Sequence, residues 1–307
     1  ANNPEQRVYV DTPKPESDAA KAGGFFRQSW GTQLTEIQRY ATNGDENRLF
    51  FAQGEGSIPS PQALVEKGIK LFFGVGHETT GATTYTQADI SNLLAWIDLN
   101  PAEHQAVIDA TSLLGAMPWD DCVVEQLLSK CNLFMPFQKA IGGISGYYVI
   151  SLTPHAIELI DKNQQDPSWA IPRQLKIAVS KDGSLPLSSE KTTALGPIDD
   201  PSIDAMQGGI INTYSTLAFA ETTFSILRNE RNIGDVKVLN QRSSQNRDIV
   251  NTWIAQNPLF ELGVTDEEAR GAAVTLLKVT DGDIDDNDVH QRIVAKSKQL
   301  LGYEGIT

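Results

Sequence analysis

Three strings in this chain set a reactive side chain at the end of an apolar run. Ile69–Val75 leads into Gly76-His77-Glu78-Thr79-Thr80-Gly81, Ala106–Ile108 into Asp109-Ala110-Thr111-Ser112, and Leu133–Phe137 into Gln138-Lys139-Ala140-Ile141-Gly142-Gly143. In a parallel α/β sheet the carboxyl ends of the strands line one crevice, where ligands bind. A hydroxyl-bearing turn, a carboxylate and a lysine would then face one another. A lysine at a buried strand end beside a glycine pair must be paired, desolvated or chemically used. Desolvation lowers the pKa of an amine and makes it a nucleophile towards carbonyl carbon. An aspartate in the same crevice is what a pyridine cofactor needs, because it keeps the ring nitrogen protonated and the ring an electron sink. Taken singly, each residue also has a plainer reading: Lys139 as a surface lysine closing a strand, Asp109 as a helix N-cap before Thr111.

The elements that must position these groups are legible from apolar runs. Asn47–Ala52, Ile69–Val75, Gln105–Asp109, Leu133–Phe137 and Gly146–Leu152 read as strands, and Ser29–Tyr40, Thr86–Leu99 and Pro154–Lys162 as amphipathic helices. Near-continuous apolar strands alternating with helices predict an α/β fold, a mainly parallel sheet sandwiched by helices. The character changes after Trp169. Ile171–Ser188 reads as a connection, Thr216–Asn229 and Arg247–Asn257 as long helices, Ala273–Val279 as a strand and Ile284–Leu301 as a further helix. This pattern predicts a large domain over residues 1–230 and a smaller α+β domain over residues 231–307. No internal repeat is evident.

Composition removes several classes. With 24 Gly, 15 Pro and 2 Cys in 307 residues, low-complexity, collagen-like and disulfide-scaffold chains are excluded. A net charge of −14, with 25 scattered Lys and Arg, argues against a nucleic-acid partner. No apolar run has the length that crosses a bilayer, and the opening ANNPEQR has no signal-peptide core, so a cytoplasmic protein without a membrane partner is expected. Cys122 and Cys131 read as reduced and structural, and His77, His104, His155 and His290 show no ligand spacing, so no metal is expected. Gly74-Val-Gly76-His-Glu-Thr79 lacks the third glycine of a dinucleotide turn. Asp281-Gly-Asp283-Ile-Asp285 resembles a calcium loop, but Asp286 replaces its turn glycine and Arg292 its bidentate glutamate. That string reads instead as the acidic start of a helix. Gly143-Ile-Ser145-Gly146 has the wrong spacing for a nucleophile elbow.

Taken together and in order, these strings resemble the class V, fold-type I pyridoxal-phosphate-dependent aminotransferases, and within them the phosphoserine aminotransferases. The strings are Val107–Ser112, Gln138–Gly143, Leu152-Thr-Pro154-His155-Ala156, Ile210-Ile-Asn212-Thr213-Tyr-Ser215-Thr-Leu-Ala218 and the turn Glu78-Thr79-Thr80-Gly81. The likeness runs over most of Gly23–Ala220 and thins beyond it. It implies a seven-stranded-type sheet and pyridoxal 5'-phosphate as cofactor. Lys139 would carry the cofactor covalently and shuttle the α-proton, and Asp109 would pair with the pyridine nitrogen. Gln138 would bond the phenolic oxygen, Thr79 would contact the ring or that oxygen, and Phe26 would stack on the ring. Asn212 and Thr213 would reach the phosphate held by the partner subunit of a homodimer. The plainer readings are a core aromatic for Phe26 and a helix N-cap for Asn212 and Thr213.

The activity so implied is ping-pong transfer of an amino group from L-glutamate to a 2-oxo acid, with 3-phosphohydroxypyruvate giving O-phosphoserine in serine biosynthesis. The alternatives are an alanine/serine–glyoxylate type of aminotransferase, a lyase, or a fold relative that does not bind the cofactor productively. Two departures accompany the likeness. The Ser-His-Arg string and the Gly-Gly phosphate turn of the family are not matched before Phe25, and His155 stands where an arginine is usual. The chain is accordingly expected to lack the N-terminal and C-terminal segments of that family.

Overall fold

The computed structural model describes residues 6–13, 45–52, 58–164 and 215–280, together with a few isolated positions. Within them, β1 (Arg7–Pro13), β2 (Leu49–Ala52), β3 (Ile69–Val75), β4 (Gln105–Asp109), β5 (Asn132–Pro136) and β6 (Tyr148–Ser151) form one sheet. Its order is β2-β1-β3-β4-β5-β6, parallel throughout except for β6, which runs antiparallel to β5. The expected α/β architecture with a mainly parallel sheet is therefore present, with six strands among the described residues.

Sequence chemistry accounts for the joints. Helix α1 (Pro61–Glu66) has Pro61 in its first turn behind the N-cap Ser60 and gives way through Gly68, at φ +65°, to β3. Helix α2 (Gln87–Leu99) opens on a capping box: Thr86 Oγ1 accepts from Asp89 N at 3.1 Å, and Asp89 Oδ2 accepts from Thr86 N at 2.9 Å. Helix α3 (Asp121–Lys130) starts from Asp120, whose carboxylate accepts from Val123 N at 2.9 Å. Leu64, Ile69, Phe72, Ile90, Leu93, Trp96 and Ile108 are buried where these helices meet the sheet.

After β6 come α4 (Pro154–Gln164), then α5 (Thr216–Asn232), α6 (Val236–Ala255) and an antiparallel pair, β7 (Phe260–Leu262) and β8 (Leu277–Val279). No helix of the described residues is long and apolar enough to cross a membrane.

The structure departs from the sequence reading in particular places. Strand β1, which the pattern reading did not anticipate, lies between β2 and β3. Asn47–Arg48 belong to a short 3-10 turn ahead of β2. Helix α6 begins eleven residues before Arg247, and only Leu277–Val279 of the expected final strand pairs. The helices expected at Ser29–Tyr40 and Ile284–Leu301, and the connection Ile171–Ser188, lie outside the described residues or nearly so.

Candidate active site

The carboxyl ends of β3, β4 and β5 are adjacent, as a parallel sheet requires, with Val75 opposite Asp109 and Asp109 opposite Phe134. Just past β3, Gly76 N donates to Asp109 O at 3.0 Å. A Cβ at Gly76 would stand 2.3 Å from Leu113 Cδ1, so the chain passes close to the loop after β4 and a larger residue would make Leu113 shift. The chain then folds back on itself, His77–Glu78 pairing antiparallel with Thr83–Thr84. Glu78 is buried, and its carboxylate accepts from Thr80 N and Gly81 N, which shapes the turn that carries the half-buried Thr79.

Asp109 is half-buried at the end of β4. Its Oδ1 accepts from Thr111 N at 2.8 Å and from the Thr111 hydroxyl. Burial pushes its pKa up, while the Thr111 hydrogen bonds and the charge of Lys139 oppose the rise. The structure thus brings Asp109 and Lys139 within electrostatic reach of each other. It corrects the expected surroundings of Lys139, however. The residue is exposed, in the turn after β5, because that turn belongs to an antiparallel connection to β6 at the rim of the sheet.

That connection is held firmly. Gly142 N donates to Lys139 O and Gly143 N to Phe137 O, both at 2.8 Å, and Gly142 sits at φ +75°. Helix α5 grips it through one face: Thr222 Oγ1 accepts from Ile144 N, Ser225 Oγ donates to Gly142 O, and Asn229 Nδ2 donates to Ile141 O. Helix α6 does the same for the loop after Asp109, Asn240 Oδ1 accepting from Met117 N and Ser243 Oγ donating to Gly115 O. Gln138, next to Lys139, keeps a buried Oε1 with no hydrogen-bond partner among the described residues.

A further residue of this neighbourhood escaped the sequence reading. His77 is 3% exposed. Burial, and next the charge of Lys139, hold its ring neutral down to about pH 4, against an opposing effect of the Ser112 backbone. The Ser112 backbone comes close enough to favour the charged ring, but neither ring nitrogen meets it or another described group in full hydrogen-bonding geometry. Its only signal in the sequence was its place two residues before Thr79. Phe26, Asn212 and Thr213, expected to stack on a ring and bind a phosphate, lie outside the described residues.

No family model matches the chain. It is similar over 281 residues to phosphoserine aminotransferases from Methanosarcina barkeri and Methanosarcina mazei, at 24% and 23% identity. Each alignment covers 91% of this chain and 64% of the relative, so the chain spans less than two thirds of the length of the curated relatives it matches. Among solved structures it superposes on the alanine–glyoxylate aminotransferase from a Nostoc species with a TM-score of 0.61 at 13% identity, covering 95% of this chain and 64% of that one. The pyridoxal-phosphate-bound phosphoserine aminotransferase from Trichomonas vaginalis gives 0.52 at 15% identity, covering 96% and 65%. The fold is fold type I, and the chain resembles the phosphoserine aminotransferases. Asp109, Thr79, Gln138 and Lys139 stand at or just past the carboxyl ends of the adjacent strands β3, β4 and β5.

Proposed function

We propose that this chain is a pyridoxal-phosphate-dependent aminotransferase, passing an amino group from L-glutamate to a 2-oxo acid by a ping-pong course. The observation that carries the reading is the convergence of the exposed Lys139, whose charge reaches Asp109, the half-buried Asp109 carboxylate fixed by Thr111, and Gln138 on one set of adjacent strand ends. The residues fit the cofactor. Lys139 is exposed and able to bond a carbonyl carbon, Asp109 offers a carboxylate to a protonated ring nitrogen, and the Gln138 amide has unused capacity.

Bound pyridoxal phosphate supplies an electron-poor ring that takes up the electron pair released at the α-carbon of an amino acid. The chain's own residues set up that chemistry. Asp109 would pair with the ring nitrogen and keep it protonated, and Thr111, by fixing Oδ1, sets the direction in which the carboxylate points. With the cofactor bound, Lys139 Nζ would accept the α-proton of the amino acid and serve as the proton donor for the reverse transfer. Gln138 and Thr79 orient the ring from the two flanking strand ends. Asn212 and Thr213 are proposed to bind the phosphate of a partner subunit, and Phe26 to stack on the ring.

The names of the two Methanosarcina relatives support 3-phosphohydroxypyruvate as the acceptor and O-phosphoserine as product. The likeness to an alanine–glyoxylate aminotransferase supports glyoxylate as the second candidate. Assaying the two acceptors side by side with glutamate decides between them. For the cofactor itself, titration with pyridoxal phosphate is expected to give a saturable absorbance change that Lys139→Ala abolishes. An unchanged absorbance change in that variant removes Lys139 from the role, and no saturable binding by the unaltered chain favours a non-catalytic fold relative.

A further inference from the structure

Residues 264–271 come back to the crevice from beyond α6 and β7. Their backbone extends the small hairpin beside His77: Thr84 N donates to Ala269 O and Gly271 N to Ala82 O, both at 2.9 Å, and Thr83 pairs antiparallel with Arg270. Arg270 closes the segment on itself, Nε donating to Val264 O at 3.0 Å and Nη2 to Thr265 O at 3.2 Å. Arg247 of α6 ties it down by donating to Arg270 O at 3.4 Å. Ala82, which accepts from Gly271, sits at φ +54°. A residue with a Cβ rarely holds that conformation unless its surroundings impose it.

The contact that matters is between Gly271 and His77. A Cβ at Gly271 would lie 2.3 Å from His77 Cε1 and 2.4 Å from Nε2, so the segment lies directly on the imidazole and an added side chain would force the segment or the ring to shift. An apolar side chain of the same size would fill this place without burying two ring nitrogens whose polar company among the described residues is no more than the approach of the Ser112 backbone. The ring also lies within reach of the charge of Lys139, which ties it to the same crevice.

We propose that residues 264–271 clamp the Glu78–Thr79 turn against the Asp109–Lys139 crevice through the contact of Gly271 with the His77 ring, which makes His77 a positioning residue of the site. The segment holds His77, His77 holds the start of the hairpin, and the hairpin holds Thr79. The consequence for ligand binding rests on the pyridoxal-phosphate reading above; the clamp itself does not.

The test uses the full chain with Gly271→Ala, His77→Ala and the double variant. Two quantities are read: carbethoxylation of His77 by diethyl pyrocarbonate, located by mass spectrometry with His155 as internal reference, and affinity for pyridoxal phosphate by absorbance titration. In the unaltered chain His77 is expected to be protected. Gly271→Ala, by lifting the segment, is expected to raise its modification rate roughly tenfold or more and to weaken cofactor affinity about tenfold. Removing the ring makes room for the added methyl, so Gly271→Ala is expected to cost little affinity in the His77→Ala background. Equal modification of His77 with and without the substitution overturns the clamp, and unchanged cofactor affinity in Gly271→Ala overturns the positioning role. If the unaltered chain binds no pyridoxal phosphate, the functional reading fails while His77 protection still decides the clamp. Should Gly271→Ala not fold, Arg247→Ala frees Arg270 O without adding an atom, and the same two quantities are expected to move in the same direction.

Discussion

Two side chains at the crevice carry opposite pKa displacements, and each has a consequence that can be measured. His77 binds a proton less readily in the folded chain, at about 4, than at its ordinary 6.5. The stability that goes with its neutral ring is therefore fully present above pH 6.5 and is lost as pH falls through about 4. The displacement corresponds to about 3 kcal/mol over that window. Denaturant unfolding at several pH values should show the unaltered chain losing stability relative to His77→Gln as pH falls, and parallel curves would refute the assignment. Asp109 has the reverse sign. Its raised pKa means that burial favours the protonated form, so its contribution is present at low pH and is lost as pH rises through the folded value. Asp109→Asn keeps an acceptor for Thr111 and removes a charge that burial disfavours. At neutral pH the variant is expected to unfold at equal or higher denaturant concentration while losing most of its affinity for pyridoxal phosphate. A loss of stability comparable to the loss of affinity would instead make Asp109 a structural residue.

At the scale of elements, the crevice depends on helices that lie far along the chain. The loop carrying Lys139 is fixed by Thr222, Ser225 and Asn229 of α5, and the loop after Asp109 by Asn240 and Ser243 of α6. Ser225→Ala with Asn229→Ala removes two donors to the carbonyls of Gly142 and Ile141, a loss of about 1 kcal/mol each. The paired substitution is expected to lower cofactor affinity severalfold in an absorbance titration, with Lys139 itself untouched; unchanged affinity would show that the loop holds its shape unaided. The strand ends were readable because β3, β4 and β5 are apolar runs that stop at polar residues. Strand β1 was not, because its Arg7-Val-Tyr-Val-Asp-Thr-Pro13 string breaks the run with an aspartate. Asp11 is tolerated there since Tyr85 Oη and Val75 N donate to it, partners 74 and 64 residues away that no local pattern reveals. The exposure of Lys139 was misjudged for a related reason. The sequence marks the end of a strand, but whether the next strand returns antiparallel is set by long-range pairing. The proposed division at residues 230 and 231 falls near the turn at Gly234, φ +112°, yet α6 beyond it still bonds to the loop after β4.

For the molecule as a whole, a charge of −14 sets an unfavourable field for the phosphates and carboxylates that the proposed reaction handles. Binding must then rest on local donors, and the proposed ones come from two chains: Lys139 of one subunit with Asn212 and Thr213 of the other. Helix α5, which begins shortly after those two residues, leaves Leu217, Phe224 and Leu227 exposed at 68%, 66% and 53%. Large apolar side chains grouped on one element favour assembly with a partner surface. Complementation tests the shared site directly. A Lys139→Ala chain is expected not to bond the cofactor, and an Asn212→Ala/Thr213→Ala chain to hold it weakly. Once co-refolded, a mixed pair has one site with both substitutions and one with neither. With random pairing about a quarter of all sites regain tight pyridoxal-phosphate binding, although neither variant binds tightly alone. If the mixture binds no better than the sum of its parts, each chain builds its site by itself, and the phosphate donors belong to the same subunit as Lys139.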